Sequence, residues 1–283
     1  MISASAEIRG ADIARHYDEL DAYYRAIWGD HVHHGFWKTG DESLETARQQ
    51  LVELVAAEAG VKSGMRLCDI GCGYGATARL LANQYGVDVT AITISPAQHE
   101  VALGSGSEGR RPTFLLGDWL NNDLPDAAFD LALAMESAEH MPDKPRFFAQ
   151  AHRVLKSGGT LVTTGWLARE SPTSRQQRWL LEPICRGSRM PSLGSESDYR
   201  CLADDAGFTV ESFRDVTRGI SRTWPKIAQV FFGHILRHPG SLRVVMDPRR
   251  SNLVFALTAV RLWIAFRTGA LRYGIFVFRK TGA

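Results

Sequence analysis

Residues 65–80, MRLCDIGCGYGATARL, decide how this chain is read. An apolar run, Leu67, Cys68 and Ile70, carries one acid, Asp69. It then meets glycine at alternate positions, Gly71, Gly73 and Gly75, before a helix-forming segment from Ala76 to Tyr85. That order is strand, tight turn and helix start. Glycine lets a ligand lie against backbone that side chains would otherwise shield, and a helix N-terminus offers free N–H groups to it. A nucleotide-like ligand follows. Read literally, Gly71, Gly73 and Ala76 also satisfy the dinucleotide fingerprint, so the turn alone leaves a nicotinamide enzyme open beside other nucleotide binders.

Outward from the turn, the chain alternates. Two amphipathic helices, 11–28 and 43–60, flank the segment WGDHVHHGFW. In the second, Leu44, Ala47, Leu51, Leu54, Val55 and Ala59 recur at helical spacing behind a cap at Asp41 or Ser43. Strand 66–70 and its helix lead to strand 88–94, then to a helix starting at Pro96, where the missing N–H is harmless. A short strand, 113–116, ends at Gly117-Asp118-Trp119, and strand 129–135 follows a polar loop. Helix 144–155 stops at Lys156-Ser157-Gly158-Gly159 before strand 160–166. This rhythm implies a parallel sheet with helices on both faces, a doubly wound α/β fold. Beyond Trp166 the expected order is helices 173–184 and 195–206, strand 208–216, an aromatic-rich helix over 224–236, helix 250–268 and a final strand 273–279. One domain, 1–283, is the economical division, with a helical prelude (1–60), a core (61–166) and a trailing part (167–283).

The totals exclude little. The formal charge is +2, but eight Arg and one Lys face the single Asp247 between Arg237 and Lys280. Such a basic, apolar tail suits a solvated face beside a packed helix, a membrane surface or an anionic substrate. Its arginines alternate with a long apolar stripe and no nucleic-acid recognition module is visible, so nucleic acid is not an expected partner. Cys68, Cys72, Cys185 and Cys201 make no Cys-x-x-Cys pair, which argues against zinc or a redox dithiol. The opening residues are polar and helical, which makes cytoplasmic residence the default. The most apolar segment, 252–278, is interrupted by Arg261, Arg267 and Arg272 and should not span a bilayer.

Three features turn the reading away from a dehydrogenase. Predicted helix precedes the first strand, where a dinucleotide fold commonly begins with it. The acid that holds the ribose hydroxyls, expected about 20 residues downstream, is absent; Thr93-Ile94-Ser95 and Gln98 stand there instead. Asp69 lies inside the strand, where a carboxylate can meet an amine-bearing or cationic ligand. Together these suggest S-adenosylmethionine. The chain resembles class I S-adenosylmethionine-dependent methyltransferases in LCDIGCGYGATARLLA, in GDW at 117–119 and in HRVLKSGGTLVTTGW at 152–166. A narrower resemblance, to the γ-tocopherol methyltransferase branch near sterol and prenyl C-methyltransferases, lies in residues 13–37, 91–98, 135–144 and 269–280.

The resemblance implies a Rossmann-like seven-stranded sheet whose last strand runs antiparallel, a helical N-terminal lid and a C-terminal substrate cover. It assigns Gly71, Gly73 and Gly75, with Asp69 nearby, to the methionine and ribose portions of the cofactor. Asp118 goes to the adenine amino group, Trp119 to the adenine ring, Ser95 and Gln98 to the ribose hydroxyls, and Tyr17 to closure from the first helix. The expected activity is methyl transfer to a lipophilic small molecule, a prenyl lipid, quinol, sterol-like or natural-product acceptor, with carbon slightly preferred over oxygen and nitrogen. A catalytically silent cofactor-binding protein is the rival from another class. His140 is the expected general base beside Glu139, while Glu136 and Glu139 can bind a cationic intermediate, a substrate hydroxyl or, for Glu136, the cofactor. Glu170, past the fifth strand, is a further candidate base. The histidines of HVHHGF lack a fourth partner at metal-ligand spacing, and no metal is expected. Phe231, Phe232, Trp263, Ile264 and Phe266 are candidates for a greasy pocket, and peripheral membrane contact and a monomer or homodimer complete the expectations.

Overall fold

The computed structural model describes residues 1–4, 7–106, 109–237 and 252–282. The expected strands form one seven-stranded sheet. They are β2 (Arg66–Ile70), β3 (Asp88–Thr93), β4 (Thr113–Leu116), β5 (Phe129–Met135), β6 (Leu155–Ala168), β8 (Phe208–Asp215) and β9 (Leu271–Lys280). Their spatial order is β4-β3-β2-β5-β6-β9-β8. The strands from β4 to β6 pair in parallel, and β9 runs antiparallel between β6 and β8, as the resemblance implied. A two-stranded antiparallel pair, β1 (Ile2–Ser3) with β7 (Ser192–Leu193), was not legible in the sequence.

Burial explains the order. Strand β2 is buried from Leu67 onward and β5 is nearly all apolar, as interior strands of a parallel sheet must be when both faces are covered. On one face α2 (Leu44–Glu58) and α3 (Ala76–Tyr85) pack Leu51, Val55, Leu81 and Ala82 against Leu67, Leu131 and Val277. On the other, α5 (Lys144–Val154) and α8 (Glu196–Asp205) pack Phe147, Phe148, Val154, Tyr199 and Ala203 with Phe276 and Phe278. A third cluster joins Trp28, at the end of α1 (Gly10–Trp28), to Leu181, Ile184, Leu271 and two later helices, α10 (Thr223–Arg237) and Asn252–Arg267. The prelude and the trailing helices thus meet each other.

Two boundaries depart from expectation. The residues read as a helix stop, Lys156–Gly159, lie within β6, which continues straight from α5; the irregularity appears as a register shift opposite Phe129 and Leu131. The helix expected over 173–184 is broken into a three-residue turn, a π segment at Gln177–Leu181 and a helix at Glu182–Gly187. The start of the helix expected at 250, and much of the basic tail, lies outside the described residues.

The chain runs outward from β2 through β3 to β4, then returns to place β5 on the other flank of β2. Strand direction therefore opens a crevice at the carboxyl ends of β2 and β5, where such sheets bind ligands.

Candidate active site

The glycine turn fills the β2 side of this crevice. Gly71, Gly73 and Gly75 have φ of 76°, 55° and 76°, a region other residues enter only with strain. A Cβ on Gly71 would lie 2.5 Å from that of Ser137, so only glycine lets the two strand ends close up. Gly71 and Gly73 line a cleft of about 850 Å3, mouth included, together with Tyr17, Gln98, Asp118, Trp119, Glu136 and His140. Most of the residues assigned from the sequence are therefore brought together. Gly75 is not part of the lining; it caps α3, and a side chain there would strike the Phe114 ring.

The polar groups fit an S-adenosyl ligand. Asp69 is buried, its Oδ2 has no hydrogen-bond partner among the described residues, and burial pushes its carboxyl up to about 7. Asp69 is not part of the cleft lining itself, but a buried carboxylate with an open acceptor behind the glycine turn has the chemistry to take an ammonium group. Asp118 accepts from Leu120 N at 2.9 Å and from Asn121 Nδ2 at 2.9 Å, and the remaining lone pairs can take an amino group. The Trp119 ring is pinned by its indole donating to Phe147 O at 3.3 Å.

Ser95 and Gln98 separate in role. Ser95 caps α4 (Pro96–Gly104) and donates to Asp18 Oδ1 at 2.6 Å, so it fastens α1 to the sheet and does not line the cleft. Gln98 does line it, and its Oε1 already accepts from Thr93 Oγ1 at 2.9 Å, leaving the amide nitrogen for a ribose hydroxyl. Asp18 was missed in the sequence because it reads there as one more acid on the outer face of a helix.

On the β5 side the arrangement is made of side chains. Glu136 follows β5 with φ 52°, a strained conformation for a residue with a Cβ. Its carboxylate accepts from His34 N at 2.7 Å, His34 Nδ1 at 2.9 Å and Tyr273 O–H at 2.7 Å. Burial would raise it, but the charge and hydrogen bonds of His34, with the charge of His33, hold it below the usual carboxylate range. The histidines of HVHHGF thus serve this acid: His31 Nδ1 meets His33 Nε2 at 3.0 Å and His33 Nδ1 donates to His34 O at 2.8 Å.

His140 and Glu139 do not act on each other as expected. His140 Nδ1 faces the Arg189 carbonyl at 3.3 Å, which can only accept, so Nε2 is left to accept from Tyr17 O–H at 3.4 Å. Burial lowers His140 to about 4 and keeps it neutral. Glu139 turns instead toward β6, 3.4 Å from Trp166 N, where burial and the Glu136 charge push it up to about 8. Glu170 is exposed and lies outside the cleft. It accepts from Ser197 N at 3.0 Å and from Ser197 Oγ, binding the start of α8. Of the greasy-pocket candidates, Phe266 packs on His34 and Trp166, whereas Trp263 is exposed and the side chains of Phe231 and Phe232 lie outside the described residues.

The mycolic acid cyclopropane synthetase family model matches residues 5–234. Among similar proteins, a chloroplastic tocopherol O-methyltransferase of Arabidopsis thaliana is 28% identical, the match covering 98% of this chain and 84% of the relative. The 27-O-demethylrifamycin SV methyltransferase of Amycolatopsis mediterranei is 33% identical over 78% of this chain and 82% of the relative. A solved cyclase, SpnF, superposes with a TM-score of 0.81 at 25% identity over 100% of both chains. With the family model matched across residues 5–234 of the chain, and with a glycine cradle lining the cleft beside a buried, unpartnered acid, the chain belongs to the mycolic acid cyclopropane synthetase family of class I S-adenosylmethionine-dependent methyltransferases.

Proposed function

We propose that the methyl acceptor is a neutral, lipophilic small molecule, the class to which tocopherol in the relative's name belongs. One observation carries this reading: among the described residues, the ionisable groups that line the cleft are either neutral or already hydrogen-bonded. Burial depresses His140 and elevates Tyr17 and Glu139, while Glu136 is matched by His34. Arg48, buried 5.4 Å over the Trp28 ring, is the exception: burial lowers its guanidinium to about 10, and its Nε and Nη2 have no hydrogen-bond partner among the described residues, but it does not line the cleft. Among the described residues the cleft lining holds no Lys or Arg, and its two carboxylates, Asp118 and Glu136, already accept hydrogen bonds, which favours a neutral acceptor over a diphosphate or an ammonium.

S-adenosylmethionine supplies an electrophilic methyl group. The chain's part is to align the acceptor and exclude water. Gly71, Gly73, Asp69, Gln98, Asp118 and Trp119 hold the cofactor. Tyr17, hydrogen-bonded to His140, closes over it from α1. The exposed stripe Leu257, Val260 and Trp263, with Arg267 5.5 Å over the Trp263 ring, supports delivery of an apolar acceptor from a lipid surface.

The likeness to SpnF gives a second reading, cofactor binding with a cyclisation in place of methyl transfer. Calorimetric titration with S-adenosylhomocysteine, with NADH as control, comes first. Asp118→Ala should weaken binding by about 1–3 kcal/mol. Labelled methyl transfer is then run on prenyl quinols and phenols, and on amines and prenyl diphosphates. Label entering only the charged acceptors overturns the proposal; tight binding without any transfer favours the second reading.

A further inference from the structure

Behind the His140 wall of the cleft lies a cation that the functional reading leaves unused. Lys144 is buried, and its Nζ donates to Ser192 O and Ser192 Oγ at 2.9 Å each, to Glu139 O at 3.3 Å and to Met141 O at 3.4 Å. These partners are three carbonyls and a hydroxyl, none of them a carboxylate. Burial lowers the ammonium to about 8, against the opposing charge of Glu139. At the first position of α5 a positive charge is also unfavourable to the helix itself. An apolar side chain of the same length would fill this space without burying a charge. What the lysine adds is position, because its N–H groups converge on backbone from two separate segments.

The first segment is the single turn Ala138–His140 and the two residues after it, of which His140, Met141 and Pro142 line the cleft. The second is 189–193. There Arg189, at φ 53°, places its carbonyl 3.3 Å from His140 Nδ1, Pro191 O accepts from Ala4 N at 2.9 Å, and Ser192 and Leu193 form β7 against β1. Strand β1 precedes α1, the helix whose Tyr17 O–H reaches His140 Nε2 at 3.4 Å. His140 is therefore bonded through both ring nitrogens only while the two segments keep their separation, and Lys144 is the side chain that spans them.

We propose that Lys144 is a positioning residue for cofactor binding: it fixes the backbone at 139–141 against Ser192, holds His140 between the Arg189 carbonyl and the Tyr17 hydroxyl, and so keeps Tyr17 over the cofactor. The inference rests on the closure of Tyr17 over the cofactor proposed above, and it is independent of the chemistry of the methyl acceptor. Lys144 is not part of the cleft lining, so its whole effect on the ligand passes through the residues it holds.

The test is a double-mutant cycle read by calorimetric titration of S-adenosylhomocysteine into the full chain. Tyr17→Phe, which removes only the hydroxyl, and Lys144→Met, which keeps the length and removes the donors, should each weaken binding about fivefold, the effect of one hydrogen bond. Because both act through His140, the double variant should also be weakened about fivefold, where independent sites would give about 25-fold. Long-range nitrogen–proton spectra of histidine-labelled protein give a second readout: His140 should be protonated on Nδ1 alone in the wild type and should lose that single form in Lys144→Met. If Lys144→Met fails to fold, Ser192→Ala, which removes one of the four oxygens, takes its place in the cycle with an expected loss of about twofold. Tyr17→Phe at wild-type affinity overturns the closure reading and the inference with it. A weakened Tyr17→Phe, with Lys144→Met at wild-type affinity or with losses that multiply in the double variant, overturns the inference alone.

Discussion

The two flanks of the crevice are built by opposite means. On the β2 side, recognition is made of backbone: glycines in positive-φ conformations, a strand end and a helix start, with one orphaned acid. On the β5 side it is made of side chains drawn from α1, the 31–37 segment, β6, β9 and α10, converging on Glu136 and His34. A backbone cradle suits a cofactor that never changes. A side-chain wall can be altered residue by residue, which fits a family whose relatives carry different acceptors in their names.

The comparison breaks first at Glu136. Removing the buried carboxylate leaves His34 N–H and His34 Nδ1 unpaired and the Tyr273 hydroxyl with only Thr164 Oγ1. Glu136→Ala should cost about 3–5 kcal/mol in urea unfolding. If the loss is below about 1 kcal/mol, in the range of an exposed ion pair, the β5 side is not organised around this carboxylate.

A smaller effect tests the β2 side. Burial raises Asp69 to about 7, so the ligand-free protein holds its proton below that pH. Because the folded value is raised, the associated stability is present at low pH and is lost as pH rises from the ordinary aspartate range through about 7. A bound ammonium favours the carboxylate. Binding of S-adenosylhomocysteine near pH 6 should therefore release protons, seen as calorimetric heats that change with the buffer's ionisation enthalpy, and affinity should rise with pH. Equal observed heats in phosphate and imidazole buffers remove Asp69 from the ligand's ammonium.

The same division decides what the sequence could reveal. The β2 side is legible because its parts are contiguous: strand, glycines and helix fall within one stretch, and backbone geometry is written directly in glycine positions. Glu136 was noticed as an acid after a strand. Its partners could not be, because His34 lies 102 positions away and Tyr273 137, and only the sheet's strand order joins them. The run HVHHGF raised the question of metal because histidine type is visible in sequence whereas hydrogen-bond direction is not. That the indole nitrogens of Trp28, Trp166 and Trp224 are buried without a partner among the described residues appears only once the fold is assembled.

Glu170 gives the smallest effect and the sharpest contrast with His34. By sequence it stood at the expected acceptor mouth, a carboxylate just past a strand; His34 stood in a lid. In the fold Glu170 is exposed and spends both oxygens on Ser197, at the first turn of α8, where a negative charge is favoured by the helix end. Its carboxyl is held low mainly by the Ser197 hydroxyl bond, so it is a poor proton acceptor at neutral pH. Glu170→Ala should lower stability by about 0.5–1 kcal/mol, as loss of a helix cap does, and leave kcat and cofactor affinity unchanged. His34→Ala, which removes a buried partner of Glu136, should instead lower stability by about 1–3 kcal/mol. A large fall in kcat for Glu170→Ala, with stability unchanged, would move the chemistry back to the end of β6.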